Sequence, residues 1–69
     1  MQVGDLCYDL MTETLWIIRK ITFNTRFAEH EYELCMVGEL REHVIANERV
    51  VSFMRADYLK RTKNVLDKS

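Results

Sequence analysis

The stretch LWIIRKITF at residues 15–23 constrains this chain more than any other. β-Branched and aromatic side chains dominate it, and these suit a pleated, half-buried strand. A two-residue period puts Leu15, Ile17, Ile21 and Phe23 on one face, interrupted by Arg19. Trp16 and Ile18 take the other face, which turns polar at Lys20 and Thr22. A strand apolar on both faces at one end and on one face at the other suits a bent strand that passes between sheets at a barrel corner. At 69 residues the chain makes a single domain, 1–69, whose core must be efficient because so short a chain buries little surface.

Other segments arrange themselves around that strand. Val3 to Tyr8 reads as a first strand, with Gly4 where the backbone bends most easily. Asp5 either accepts backbone hydrogen bonds from a loop or faces solvent. Residues 9–14 form a polar connection and 24–31 a loop. Residues 32–38 form a strand with Tyr32, Leu34 and Met36 on one face, closed by Gly38. The composition of 39–48 favours helix, yet 43–46 can form a strand in a hairpin around Asn47, with 49–53 as the strand that follows. MRADYLKR at 54–61 changes period and suits one helical turn. Beyond it, Leu59 to Thr62 forms a short closing strand, or Tyr58, Leu59, Val65 and Leu66 line a terminal helix. Residues 63–69 read as a tail.

The order strand, loop, bent strand, loop, strand, hairpin, helical turn, short strand resembles an SH3-like small β-barrel of the Tudor and KOW kind. VGDLCYD resembles the opening of such barrels, and RVVSFMRADYLKR their last strand, helical turn and closing segment. The resemblance covers residues 3–62, the barrel core. It implies an all-β fold of about five strands with one short helical turn near the C-terminus. Very small barrels opening with VGD recur among uncharacterised proteins of tailed bacteriophages, and this chain is similar to them. Such a likeness carries fold and no function by itself, because barrels of this class bind peptides, RNA, DNA or other subunits.

Charge narrows the partners. The formal net charge is −1, so phosphates feel no global attraction. The distribution is uneven: residues 1–53 are acidic overall, while 54–69 carry Arg55, Lys60, Arg61, Lys63 and Lys68 against Asp57 and Asp67. No apolar run approaches the roughly 20 residues of a membrane span, and no signal-peptide core follows Met1. Cys7 and Cys35 sit in apolar stretches and read as reduced core thiols of a cytoplasmic protein, with a single bridge between them as the alternative.

Catalytic chemistry has little to stand on. Phosphate-binding, zinc-protease and nucleophile-elbow motifs are missing from the sequence. Cys7, Cys35, His30 and His43 have the wrong spacing for a zinc finger, so neither metal nor cofactor is expected. The acidic cluster Glu29, His30, Glu31 and Glu33 reads as a solvated loop or a contact for a basic partner.

Aromatic residues are more informative, because seven are many for so small a core. Phe23, Tyr32 and Phe53 read as core, and Trp16 taken alone reads as core too. By the Tudor resemblance, aromatics near one end of the sheet form a groove, for which Tyr8, Trp16 and Tyr58 are the candidates. Phe27, beside Arg26 in a loop, is a candidate anchor for a partner. Two functions follow. One is a non-enzymatic module that binds a host or viral protein, or a second copy of itself through an edge strand. The other is a nucleic-acid-binding barrel that uses Arg55, Lys60, Arg61 and Lys63 beside Tyr58.

Overall fold

A computed structural model of the chain describes residues 1–67, with the side chains of Leu40 and of residues 63–67 outside the description. Its strands are β1 (Leu6–Asp9), β2 (Thr14–Asn24), β3 (Glu29–Met36) and β4 (Glu39–Asn47), followed by a helix α1 (Glu48–Asp67). All pairings are antiparallel, and the sheet order equals the chain order.

Local side chains explain the turns. Asp9 Oδ1 accepts the Met11 N–H at 2.9 Å, which starts the β1–β2 turn, and Glu13 ends it at φ 55°. Asn24 repeats the device: its Oδ1 accepts the N–H groups of Arg26 at 2.9 Å and Phe27 at 3.3 Å, and Ala28 ends the turn at φ 51°. This chemistry shortens the loop expected over 24–31 to residues 25–28. Between β3 and β4, Gly38 adopts φ +93°, a conformation strained for any side-chain-bearing residue. Residues 40–42 then bulge, because Cys35 pairs with His43 while Met36 pairs with Glu39.

β2 departs from a strict two-residue period. Ile18 pairs with Leu34 and Ile21 with Tyr32, so Arg19 is one extra residue in a bulge. Past it the faces exchange, and Trp16, Ile18, Ile21 and Phe23 all lie on one side. That side holds the core of Cys7, Trp16, Ile18, Tyr32 and Leu34, closed from above by Val51 of the helix. Ile21, Met36, Ala46 and Met54 pack around it.

The opening VGD is a clamp on β2. Gly4 donates its N–H to the Ile18 carbonyl at 2.8 Å, and Ile18 donates back to Asp5 O at 2.9 Å. The Asp5 carboxylate accepts the Gln2 N–H at 3.0 Å, the hydrogen-bonded role of the two open to it.

Residues 49–53 are helix rather than the expected strand. Asn47 caps the helix, its Oδ1 accepting the Val50 N–H at 2.9 Å. From there Val51, Met54, Arg55, Tyr58 and Thr62 recur at helical spacing and turn inward. The one-turn helix expected at 54–61 is part of this longer element, the closing strand at 59–62 is not formed, and residues 63–67 of the expected tail continue the helix. The sheet therefore has four strands rather than five. It is open, with β1 and β4 at its two edges. Among the described residues no helix is long and apolar enough to cross a membrane. Both cysteines are buried and no disulfide joins them, so the bridge is not made.

A candidate docking cleft between β1 and the helix

Helix α1 packs more extensively on β1 than on any other strand. Arg55 makes the junction: its Nη1 donates to the Leu6 carbonyl at 2.7 Å, and its Nη2 lies 4.0 Å from Asp5 Oδ1. The same guanidinium sits 5.4 Å from the centre of the Tyr58 ring. Two turns further on, Arg61 stacks on Tyr8, Cζ to ring centre 4.5 Å. Thr62 donates its hydroxyl to the Tyr58 carbonyl at 3.0 Å and so remains tied to the helix.

These contacts leave a cleft of about 350 Å³ lined by Tyr8, Glu13, Leu15, Tyr58, Arg61 and Thr62. Two tyrosines and a leucine supply its apolar surface, and Arg61 and Glu13 give it one charge of each sign. Its volume is at the low end of the roughly 300–1,000 Å³ typical of ligand pockets. A depression of this size and lining has room for one apolar or aromatic group, with a charge of each sign at its rim.

The structure treats the sequence candidates unequally. Tyr8 and Tyr58 meet in the cleft, joined there by Arg61. Trp16 is only 7% exposed, belongs to the core, and donates its indole N–H to Thr14 Oγ1 at 2.8 Å. Arg26 and Phe27 occupy the β2–β3 turn, where Phe27 is 65% exposed with the Arg26 Cζ 5.7 Å from its ring centre. Leu15 and Asn24 lie near opposite ends of β2, so turn and cleft stand about 30 Å apart at an ordinary strand rise. Of the basic set, Lys60 and Arg61 are exposed, Arg55 is engaged by Leu6 and Asp5, and the Lys63 side chain lies outside the described residues.

Leu15 and Glu13 line the cleft without having stood out in the sequence. The Tyr8–Leu15 pairing across β1 and β2 reveals Leu15, and Glu13 comes in with the turn that joins those strands. Phe23 and Phe53, expected in the core, are largely exposed. Phe23 lies past the helix-covered part of its face, edge-on to His30 at 5.1 Å. Phe53 lies on the side of the helix away from Val51. The acidic cluster lies within β3, where Glu31 Oε1 accepts a hydrogen bond from Asn24 Nδ2 at 2.6 Å. Comparison with known protein families, curated proteins and solved structures finds no match to this chain.

Proposed function

We propose that the chain is a small non-enzymatic interaction module that binds another protein through the β1–helix cleft. The observation that carries this reading is the convergence of Tyr8, Tyr58 and Arg61 on one surface depression. Tyr and Arg are the residue types most often found at the energetic centre of protein interfaces. Here Arg61 is held in place by its stack on Tyr8, so little side-chain freedom is lost on binding. Phe27 at the distant turn is a second, separate anchor. The likeness to SH3-like barrels of tailed phages belongs to this proposal. The antiparallel meander supports it, and the helix in place of a fifth strand is where it departs.

A photo-crosslinking residue in place of Glu13 tests the reading in the native host cell. A specific protein adduct is expected, and it should be lost when Tyr58→Ala or Arg61→Glu is added. Adducts that persist through both changes would remove the cleft from the account.

Nucleic-acid binding is the second reading, favoured by the exposed Lys60 and Arg61 beside Tyr8 and Tyr58. Glu13 at the cleft and the engagement of Arg55 weigh against it. Under this reading the double change Lys60→Glu, Arg61→Glu abolishes oligonucleotide binding. Binding that survives charge reversal would exclude these residues as the contact.

A further inference from the structure

The two edges of the sheet are not alike. The β1 edge lies by the helix, and Arg55 takes the Leu6 carbonyl. β4 has no strand beyond it among the described residues. Its first part is irregular, but His43–Asn47 pairs residue for residue with β3 from Cys35 back to Glu31. This regular segment, HVIAN, contains no Lys, Pro, Asp or Glu, the residues that ordinarily block an edge. Val44 and Ile45 are 42% and 70% exposed on opposite faces.

The segment is also self-complementary. Identical antiparallel strands are related by a two-fold axis normal to the sheet, so the axis passes through one residue that faces its own copy. With the axis at Ile45, Ile45 meets Ile45, Val44 meets Ala46, and His43 meets Asn47. Apolar opposes apolar and polar opposes polar on both faces. Moving the axis to Val44 sets Ile45 against His43 and Glu42 against Ala46. Moving it to Ala46 sets Ile45 against Asn47 and Val44 against Glu48. Only the Ile45 register sorts the two classes between His43 and Asn47; its next pair would set Glu42 against Glu48, but Glu42 lies in the bulge and Glu48 has already left the sheet for the helix. A net charge of −1 offers little repulsion between copies.

We propose that β4 is the interface with a second copy of this chain, paired antiparallel about Ile45 into one continuous sheet with both helices on the same face. The surface is separate from the cleft and does not depend on the function proposed for it.

Sedimentation across a concentration series extending to the millimolar range tests this. The unmodified chain should pass from monomer to dimer. Ile45→Lys and Ile45→Glu should each weaken association by about tenfold or more, because position 45 faces itself and like charges then meet. Mixing the two variants should restore a heterodimer. Ile45→Cys should oxidise to a covalent dimer, since directly opposed strand residues lie within disulfide reach, whereas Val44→Cys should not. Any of three results would overturn the proposal: a wild-type monomer throughout, an Ile45→Lys variant that dimerises normally, or a covalent dimer through Val44→Cys in place of Ile45→Cys. Circular dichroism shows whether each charged variant is folded, and the cysteine pair decides the register should one of them not be.

Discussion

Replacing Arg55 by Ala should destabilise the fold by about 2–3 kcal/mol. The hydrogen bond from its guanidinium to the Leu6 carbonyl, 2.7 Å long, is the largest contribution, at roughly 1.5–3 kcal/mol for a charged donor. The ion pair with Asp5 is long at 4.0 Å and partly exposed, so it adds roughly 0–1 kcal/mol. The approach to the Tyr58 ring adds about 0.5–1 kcal/mol. One head group makes all three contacts, so they do not sum freely, and alanine regains a few tenths through helix propensity. A domain of this size has only about 3–10 kcal/mol in total, so the midpoint of thermal unfolding should fall by roughly 10–20 °C. Urea unfolding followed by the fluorescence of Trp16, the single tryptophan, reads the effect. Arg55→Lys should recover charge without the planar fork and still lose about 1–2 kcal/mol. Asp5→Asn should lose less than about 1 kcal/mol, since an amide oxygen can still accept the Gln2 N–H. A loss below about 0.5 kcal/mol for Arg55→Ala would refute the reasoning. Arg55 would then be an idle surface cation, available to phosphate.

Other perturbations test separate joints of the fold. Asn47→Ala removes the cap at Val50 and should cost about 1 kcal/mol, with reduced helical dichroism; unchanged urea stability would mean the cap is idle. Ala28→Gly relieves a left-handed residue and should stabilise by roughly 0.5–1 kcal/mol; a loss would show that φ there is not the one described. Alkaline pH should destabilise the protein. Burial pushes the Cys7 thiol up, and burial with the Glu48 carboxylate pushes the Tyr32 phenol up. The native state therefore holds protons that the unfolded chain releases. Stability is fully present below the unfolded thiol value of about 8.5 and is lost as pH rises through the raised folded values. Cys7→Ala should remove the earlier part of that loss in melts between about pH 7 and pH 10.5, leaving the later part of Tyr32.

Much of the sheet was legible because β2 and β3 carry strong alternation. Tyr32, Leu34 and Met36 share a face in the sequence and in the structure. The bulge at Arg19 was not legible, since one extra residue leaves no mark in composition yet exchanges every side chain beyond it. Asn47 suits a hairpin tip by sequence and is instead a helix cap in the structure. Its side chain accepts local backbone N–H groups equally well in either role. Val50, Val51 and Phe53 have strand-forming side chains, and the inward helical stripe includes Arg55 and Thr62, so its apolar period is diluted. Tyr8 and Tyr58 could be proposed for a groove from residue type alone. That Arg61 joins them follows only from the direction of a helix whose start the sequence misplaced.

The choice between a protein and a nucleic-acid partner rests on the exposed Lys60–Arg61 end of the cleft. An amide-shift titration of the labelled chain with a short mixed-sequence oligonucleotide, at low and high salt, addresses it directly. A flat titration at low salt is expected, with the resonances of Tyr8, Tyr58 and Arg61 unmoved. Shifts confined to residues 55–63 that vanish as salt rises would mean phosphate contact, and the protein-docking reading of the cleft would be wrong.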